Sequence, residues 1–276
     1  MKEADIVFIV LVFRNDKDLI DLIKSVNLKI KTTYKIVVVN SYYDEASKQT
    51  IEKVATKYNC DFINVPNRGY GSGNNKGIQF ATENYKFEFV VICNPDTEII
   101  KFNYRDLAGK EKNIIAPEII TLQNNKQNPF RLINSKLLDS IKYAAFKRKK
   151  YKLIYIDIVI NKLAKIFVRK YNNLINKKEY GIYSCHGSFL IIGREAMRVL
   201  GELYNEEMFL FSEEDHVAKL AMKKNIVTLM NSNIQILHKE DGSVKFIDSK
   251  IMDMIGESFI KYYEYWYSEF SVKENR

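Results

Sequence analysis

The run Asp5-Ile-Val-Phe-Ile-Val-Leu-Val-Phe13 is a continuous series of β-branched and aromatic residues. A strand that is apolar on both faces is typical of the centre of a parallel sheet with helices on either side. The polar residues that follow, Arg14-Asn-Asp-Lys-Asp18, end the strand, and Asn15 or Asp16 is suited to cap a helix. The stretch therefore predicts a central strand followed by a helix that reaches about Leu28.

The same alternation continues as far as residue 93. It predicts strands at residues 34–39, 61–65 and 87–93, with helices at 44–58 and from about Asn74. Alternating strands and helices predict an α/β fold with a doubly wound, mostly parallel sheet, whose ligands bind beyond the carboxyl ends of the strands. The polar loops 14–18, 40–44, 66–73 and 94–98 all lie at that edge.

The second half of the chain alternates less regularly. Strands are predicted at 113–120, at 187–192, near Val227 and at 234–237, and helices from Phe209 to about Lys224 and over 246–270. We expect one α/β domain over residues 1–240, a basic helical insertion at about 133–180, and an aromatic-rich helical extension at 241–276. The aromatic residues of that extension suit either a core or an interfacial belt.

The amino-acid composition indicates a folded protein that belongs to a reducing compartment. The chain has 276 residues, 46% of them hydrophobic, and its three cysteines have no metal-ligand spacing. The first apolar run is too short to span a membrane and has no cleavage pattern after it, so we expect a cytoplasmic protein. The net charge of +9 arises from residues 136–178, which contain thirteen Lys or Arg but only two Asp.

Within that basic segment, apolar residues recur every three or four positions, at Leu153, Ile156, Ile160, Leu163, Phe167, Tyr171 and Leu174. Lys162, Lys165 and Arg169 fall on other sides, which predicts an amphipathic basic helix. We favour contact between this segment and the surface of an anionic membrane. A packed helix with a solvated basic face, in a dimer contact or alone, is the alternative. Nucleic acid is disfavoured because stacking motifs and recognition-helix patterns are absent.

Two short motifs suit the binding of a phosphate and a cation. The stretch Asn67-Arg-Gly-Tyr-Gly-Ser-Gly-Asn-Asn-Lys-Gly-Ile-Gln-Phe-Ala81 has four glycines before a helix, so its backbone amides can approach an anion. In Cys93-Asn-Pro-Asp-Thr-Glu98, the carboxylate of Asp96 follows a buried strand, where a hard cation could bind. Both motifs also fit ordinary turns, with Asp96 bonding nearby backbone.

As an ordered set, these motifs resemble the family 2 glycosyltransferases of the glycosyltransferase A fold. Those are inverting enzymes that build bacterial surface polysaccharides, and rhamnosyltransferase-like members are the most similar in pattern. The resemblance covers about residues 5–240. It rests on Ile9-Val-Leu-Val-Phe-Arg-Asn15, the glycine-rich stretch, Cys93-Asn-Pro-Asp-Thr-Glu98, Gly187-Ser-Phe-Leu-Ile-Ile192 and Met208-Phe-Leu-Phe-Ser-Glu-Glu-Asp215.

The resemblance implies a donor site with a divalent cation. Asp96 would hold Mg²⁺ or Mn²⁺ on the donor diphosphate, with His238 nearby, although a lone histidine is as often structural. The implied contacts to the donor come from Phe13, Asn15, Asn40, Arg68, Gly69, Gly73, Asn74, Asn94 and Asp96. Asn40 and Asn94 stand where relatives have aspartates; an amide oxygen can still accept the N3–H of a uracil or thymine. Asp44 or Glu45 could substitute for Asn40.

The acidic group Glu213-Glu214-Asp215 supplies the implied catalytic base. Glu214 matches the family position, Glu213 is the neighbouring candidate, and Asp215 would serve if the register shifts. An acidic first helical turn that interacts with the helix dipole is the structural alternative.

The function implied is therefore transfer of a sugar from a UDP- or dTDP-linked donor to a glycan or lipid-diphosphate-linked acceptor, on the cytoplasmic face of a membrane. A nucleotidyltransferase of related fold and a non-catalytic glycan- or lipid-binding protein with a decayed site are the alternatives. The sequence leaves the oligomeric state open.

Overall fold

The computed structural model describes residues 1–240 and 249–268. The strands in this part of the chain are β1 (Lys2–Val12), β2 (Tyr34–Tyr42), β3 (Asp61–Pro66), β4 (Tyr85–Cys93), β5 (Thr97–Lys101), β6 (Ile114–Thr121), β7 (Glu179–Ile182), β8 (Phe189–Gly193) and β9 (Thr228–His238). The α-helices are α1 (Asp16–Lys29), α2 (Glu45–Lys57), α3 (Tyr70–Asn84), α4 (Lys136–Lys147), α5 (Ile154–Leu174), α6 (Arg194–Leu200), α7 (Glu213–Lys223) and α8 (Ser249–Tyr267).

These strands form one mixed sheet in the order β3-β2-β1-β4-β8-β6-β9-β5. The first half, β3-β2-β1-β4, is parallel, and so is the pair of β6 and β9. β8 runs antiparallel to both β4 and β6, while β7 and β5 pair antiparallel with the two halves of β9. The predicted α/β fold is confirmed, with β1 inside the parallel part of the sheet.

The sheet separates two apolar cores because successive residues of a strand point to opposite faces. From β1, Ile6, Phe8 and Val10 pack with residues of α1 and α2 on one face. Val7 and Ile9 pack with residues of α3, α6 and α7 on the other face. A third, smaller core joins α4 and α8.

Local signals explain why the first helices begin where they do. The side chain of Asn15 accepts the amide of Asp18 at 3.1 Å and caps α1. Asp44 and Ser47 form a reciprocal capping box at the start of α2. These two caps set the loops that follow β1 and β2.

Helix α3 begins at Tyr70, four residues earlier than predicted, so most of the glycine-rich stretch is helical. A Cβ on Gly77 would overlap Ile9 and lie 2.9 Å from Cγ2 of Val39, and a Cβ on Gly73 would overlap Leu11. These two glycines therefore allow the helix to lie close against β1 and β2, a packing reason that the sequence analysis did not consider.

The second half of the chain shows further differences. Helix α7 begins at Glu213 rather than at Phe209, and the strands predicted near Val227 and at 234–237 are one strand, β9. Strands β5 and β7 and helix α6 were not predicted, whereas α4 lies inside the predicted helical insertion. Of the predicted C-terminal helix, residues 246–248 and 269–270 lie outside the described residues. Phe259 and Tyr262 of α8 are fully buried, so these two aromatic residues belong to a core.

Helix α5 is amphipathic as predicted, but it buries its polar face. Its buried side chains after the first residue are Asp157, Asn161 and Asn172. Most of the predicted apolar stripe is exposed, including Leu163, Phe167 and Leu174. Leu153 precedes the helix, in the short 3-10 turn Tyr151–Leu153. Within the single chain, the apolar stripe therefore does not pack against the rest of the protein, as the packed-helix alternative required.

No helix within residues 1–240 and 249–268 has the length and the apolar character that crossing a bilayer requires.

Candidate functional site

Asp96 lies in a tight turn at the carboxyl end of β4 and is 6% exposed. Two hydrogen bonds fix this turn. The amide of Asn94 donates to the carbonyl of Ser188 at 2.8 Å, and the Thr97 hydroxyl donates to the carbonyl of Asn94 at 2.7 Å. The turn is thereby attached to the segment that leads into β8.

His238, the last residue of β9, contacts the Asp96 carboxylate. Its Nε2 lies 3.3 Å from Oδ2 of Asp96, and its Nδ1 lies 2.8 Å from Oε1 of Gln127. The ring of His186 lies 5.5 Å from that of His238, between centroids. Burial and the neighbouring His238 lower the pKa of His186 to about 3, so this second imidazole is neutral at physiological pH. The structure thus brings together both residues that were predicted to bind a metal.

Asp96 and His238 offer a carboxylate and an imidazole, a donor set that suits Mn²⁺ or Mg²⁺ when substrate phosphates and water supply the other ligands. Among the residues that the structure describes, no group of three or more His, Cys, Asp or Glu side chains is placed to hold a metal ion. The residues present therefore fit a cation that arrives with a diphosphate better than one held by the protein alone.

The three acidic residues at the start of α7 follow a strained connection. Phe211 and Ser212 have φ angles of 75° and 68°, in the left-handed region that residues other than glycine seldom occupy. Strain of this kind costs of order 1–3 kcal/mol for each residue and is concentrated at functional sites. The three acids that follow lie in the first turn of α7, where consecutive side chains project in different directions.

Glu214 is held by the segment before β8. Its Oε1 accepts the amide of Gly187 at 3.2 Å, and its carbonyl accepts the Ser184 hydroxyl at 3.1 Å. A Cβ at position 187 would lie 2.9 Å from this Oε1, so the contact needs a glycine there. Burial raises the pKa of Glu214, while the bond from the Gly187 amide favours the ionised form.

Glu213 is buried in a different way. It is 4% exposed, and its Oε1 has no hydrogen-bond partner within the described part of the chain. Burial, together with the adjacent Glu214, raises the pKa of Glu213 to about 8. Its side chain is therefore mostly protonated at neutral pH.

Asp215 is a counter-ion rather than a free base. Its carboxylate lies 2.7 Å from Arg131 and 3.7 Å from Lys142. Burial opposes ionisation, but these two cations outweigh it and hold the pKa of Asp215 below its usual value. The geometry therefore disfavours the shifted register in which Asp215 was the base.

The two halves of the candidate site meet on consecutive residues. Gly187 donates its amide to Glu214, and Ser188 accepts the amide of Asn94 from the turn that carries Asp96. The hydroxyl of Tyr70, at the start of α3, donates to the carbonyl of Gly187 at 2.9 Å. A short backbone segment thus fixes the acidic residue of α7 relative to the acidic turn after β4.

The ends of β1 and β2 form a second part of the site. Asn40 is buried; its Nδ2 donates to Oδ1 of Asn64 at 2.6 Å, and its own Oδ1 has no hydrogen-bond partner in the described residues. Phe13 is 44% exposed and meets the ring of Tyr43 edge-on, 5.7 Å between centroids. The guanidinium of Arg14 lies 4.1 Å from the centroid of the Tyr43 ring. An unpaired acceptor and exposed aromatic rings therefore lie at adjacent strand ends.

Other residues predicted for the donor are already engaged within the protein. Asn15 caps α1, and Nδ2 of Asn74 donates to the carbonyl of Tyr70 from a fully buried position. Asp44, suggested as a substitute for Asn40, caps α2 through the Ser47 amide at 2.7 Å.

The amides of the glycine-rich segment are not all available to a phosphate. Gly69 donates to Asn67, Tyr70 donates to the carbonyl of Phe209, and Gly73 donates to Gly69. A Cβ on Gly69, where φ is 102°, would overlap the carbonyl oxygen of Phe209. The interpretation of this segment as a general phosphate loop was therefore too broad. Arg68 is exposed and can reach a ligand from solvent, and Asn67, Lys76 and Gln79 are exposed as well.

The sequence analysis missed Tyr43, Tyr70, Gln127 and Arg131. Apart from Asp139, which lies eight residues from Arg131, their partners are far away in the chain, so local motifs gave little signal for them. Tyr43 is the one with a local signal, because two consecutive tyrosines after a buried strand indicate exposed rings near a strand end.

Several known proteins are similar to this chain in sequence or in fold. Residues 7–110 match the family described as Glycosyl transferase family 2. The low-salt glycan biosynthesis hexosyltransferase Agl10 of Haloferax volcanii is 25% identical over 228 residues, which cover 80% of this chain and 63% of that protein.

Two solved structures share the fold. GalNAc-T7, in a crystal structure with UDP, GalNAc and Mn²⁺, superposes with a TM-score of 0.62 at 11% identity over 97% of this chain and 49% of that one. TarS of S. aureus gives a TM-score of 0.52 at 14% identity, over 96% of this chain and 44% of that one. The chain thus spans less than two thirds of the length of each of these proteins. Residues 7–110 are thus similar to glycosyl transferase family 2, and the chain has a fold of the glycosyltransferase A type.

Proposed function

We propose that this protein is an inverting glycosyltransferase, which moves a sugar from a UDP- or dTDP-linked donor to a glycan or lipid-linked glycan in surface polysaccharide synthesis. The observation that carries the proposal is the shared anchoring of Glu214 and the Asp96 turn by Gly187 and Ser188. This shared anchoring supports a general base, Glu214, and a ligand of the cation, Asp96, that keep a fixed position relative to each other. The similarity to Agl10, a glycan biosynthesis hexosyltransferase, supports the same class of reaction.

In this proposal Glu214 is the general base. Its carboxylate takes the proton of the acceptor hydroxyl as that oxygen bonds to the anomeric carbon of the donor. The bond from the anomeric carbon to the diphosphate oxygen breaks on the opposite face, so the configuration inverts and a nucleoside diphosphate leaves. Protonated Glu213 does not add a second negative charge beside the base.

The donor would lie across the ends of β1, β2 and β4. The unpaired oxygen of Asn40 would accept the N3–H of the base, and the rings of Phe13 and Tyr43 would pack against it. Asp96 and His238 would hold Mg²⁺ or Mn²⁺, which neutralises charge on the leaving diphosphate when it is bound. Arg68 and Asn94 stay candidates for contacts with the phosphates and the sugar, whereas the amides of Gly69 and Gly73 already donate within the protein.

The test compares three variants in assays of sugar transfer and donor hydrolysis. Glu214→Gln should lose about 10²- to 10⁴-fold in transfer while still binding the donor, since it removes only proton transfer. Asp96→Ala should lose turnover and donor binding in Mn²⁺. Glu213→Gln is the matched control, and an inactive Glu213→Gln beside an active Glu214→Gln would move the base by one residue. Near-normal turnover of Asp96→Ala would contradict the proposed cation site.

A thermal-shift panel of UDP-, dTDP- and GDP-sugars, with and without Mn²⁺, identifies the donor. A ligand bound only by the native state raises Tm in proportion to its affinity and concentration. Failure of every donor to raise Tm would favour a non-catalytic binding protein. Release of pyrophosphate from a nucleoside triphosphate would favour a nucleotidyltransferase.

A further inference from the structure

Helix α5 presents an apolar face to solvent, which we call the outward face. It consists of Ile156, Val159, Leu163, Ile166, Phe167 and Leu174. The exposed fraction is 63% for Leu163, 72% for Phe167 and 85% for Leu174. A contiguous apolar face of this kind on a protein surface marks an interaction site, whereas single exposed apolar residues are ordinary.

Hydrogen bonds on the opposite side of α5 fix this orientation. The Oδ1 of Asn161 accepts the amides of Leu132 at 3.1 Å and Ile133 at 3.2 Å. Arg169 donates to the carbonyl of Asn128 at 2.7 Å, and Lys165 donates to that of Phe130 at 3.3 Å. Turning the apolar face inward would break all of these contacts, so the polar side holds the helix with its apolar side outward.

The charges around the outward face have one sign. Six exposed lysines lie along α5 or beside its ends, and within residues 1–240 and 249–268 they form no ion pair: Lys150, Lys152, Lys162, Lys170, Lys177 and Lys178. The two carboxylates of the segment, Asp139 and Asp157, are both buried against Arg131. The surface of residues 136–178 therefore combines an apolar face with cationic side chains, and Lys170 lies within that face by its helical spacing from Phe167 and Leu174.

We infer that α5 lies in the plane of an anionic membrane surface, with its outward face among the acyl chains and its lysines at the lipid headgroups. An amphipathic helix with a basic border binds membranes through buried apolar area and attraction to anionic lipids. Lys and Arg side chains extend their charged ends to the interface while their stems cover apolar surface.

Charge distinguishes the membrane from a second copy of this chain. If two outward faces met, six lysines would approach six lysines, and the one carboxylate of α5, Asp157, is buried against Arg131 and could not pair with them. Like charges at an interface are unfavourable, whereas an anionic lipid surface neutralises the same lysines. The charge pattern therefore favours lipid as the occupant.

Contacts of α5 connect membrane binding to the candidate functional site. Asp157 of α5 lies 3.1 Å from Arg131, which also holds Asp215 beside Glu214. A helix bound in the membrane would thus be joined to α7 through one buried arginine. Membrane binding itself requires no donor and no transfer, so it can be tested apart from the proposed activity.

The experiment is flotation of the full chain with vesicles of phosphatidylcholine alone and of equal parts phosphatidylcholine and phosphatidylglycerol. The wild type should float with the mixed vesicles and remain unbound with phosphatidylcholine. Leu163→Asp and Phe167→Asp should abolish flotation. Leu28→Asp is the matched control, because Leu28 lies on α1 and is 64% exposed, against 63% for Leu163. Unchanged thermal unfolding of all three variants shows that they fold.

A double lysine variant tests the contribution of charge to membrane binding. Lys162→Gln combined with Lys170→Gln should weaken partitioning to mixed vesicles by roughly 30-fold, at about 1 kcal/mol for each lysine. Three results would overturn the inference: wild type that does not bind mixed vesicles, wild type that binds pure phosphatidylcholine equally well, or a Leu163→Asp variant that binds mixed vesicles as strongly as the wild type. So would light scattering that shows a wild-type dimer made monomeric by Leu163→Asp.

Discussion

Replacing Glu213 with Gln should change how the stability of the protein depends on pH. Burial raises the pKa of Glu213 from 4.5 to about 8, so the folded state keeps a proton that the unfolded state releases. Between these two values the folded state binds more protons than the unfolded state. The free energy of unfolding must therefore fall as pH rises through this window.

The size of the effect follows from proton linkage. One proton contributes 1.36 kcal/mol for each pH unit inside the window, so the wild type should lose about 3 kcal/mol between about pH 5.5 and about pH 7.5 from this group. Glu213→Gln has no proton to lose and should lack this part of the slope. A buried amide without partners costs about 1–3 kcal/mol, but that cost does not depend on pH.

Urea unfolding of wild type and variant at a series of pH values, at constant ionic strength, measures the slope. Glu52→Gln is the matched control because Glu52 is exposed on α2, and it should keep the slope of the wild type. Glu214 titrates together with its neighbour, so the slope belongs to the pair and Glu214→Gln should alter it too. If Glu213→Gln retains the slope of the wild type, the buried, protonated state of Glu213 is refuted.

Two further predictions concern packing and buried charge. Gly77→Ala should lower the free energy of unfolding in urea by about 1–2 kcal/mol, because overlap with Ile9 outweighs the better helix propensity of alanine. Gly181→Ala is the control, because a Cβ at that position meets open space. Equal stability of the two variants would contradict the reasoning. Arg131→Met should cost about 3–5 kcal/mol because it leaves three buried carboxylates without their cation. Arg105→Met, at an exposed arginine, should change stability by less than about 0.5 kcal/mol, and a similarly small loss for Arg131→Met would refute the structural role of the cluster.

Much of the parallel half of the fold follows from the sequence alone. The run from Asp5 to Phe13 identified β1, and the caps at Asn15 and Asp44 mark the starts of α1 and α2, because these signals act over a few residues. The start of α3 was misplaced for the opposite reason. Gly73 and Gly77 serve contacts with Leu11, Ile9 and Val39, which lie on other strands and cannot be read from the local pattern.

Helix α5 shows a different limit. Periodicity revealed its two faces, but it carries no information on which face meets the protein. Here the loop before α4 presents main-chain groups, which Asn161, Lys165 and Arg169 satisfy. The need to pair buried backbone groups outweighed the burial of leucine and phenylalanine.

The acids at 213–215 could be found as a group, but not assigned individually. Their roles depend on groups distant in sequence: Gly187 for Glu214 and Arg131 for Asp215. Asp96 and His238 were paired through the family resemblance, and the structure places their side chains in contact. Long-range contacts of this kind follow from strand order, which the local sequence patterns did not predict.

The cluster around Arg131 makes the helical insertion difficult to exchange. Arg131 joins Asp139 of α4, Asp157 of α5 and Asp215 of α7, and the hydroxyl of Tyr267 in α8 donates to Asp139 at 2.7 Å. A chimera that replaces α4 and α5 alone would leave the arginine, the α7 carboxylate and the α8 tyrosine with foreign neighbours. Swaps between relatives should therefore transplant the insertion, α8 and residue 131 as one unit.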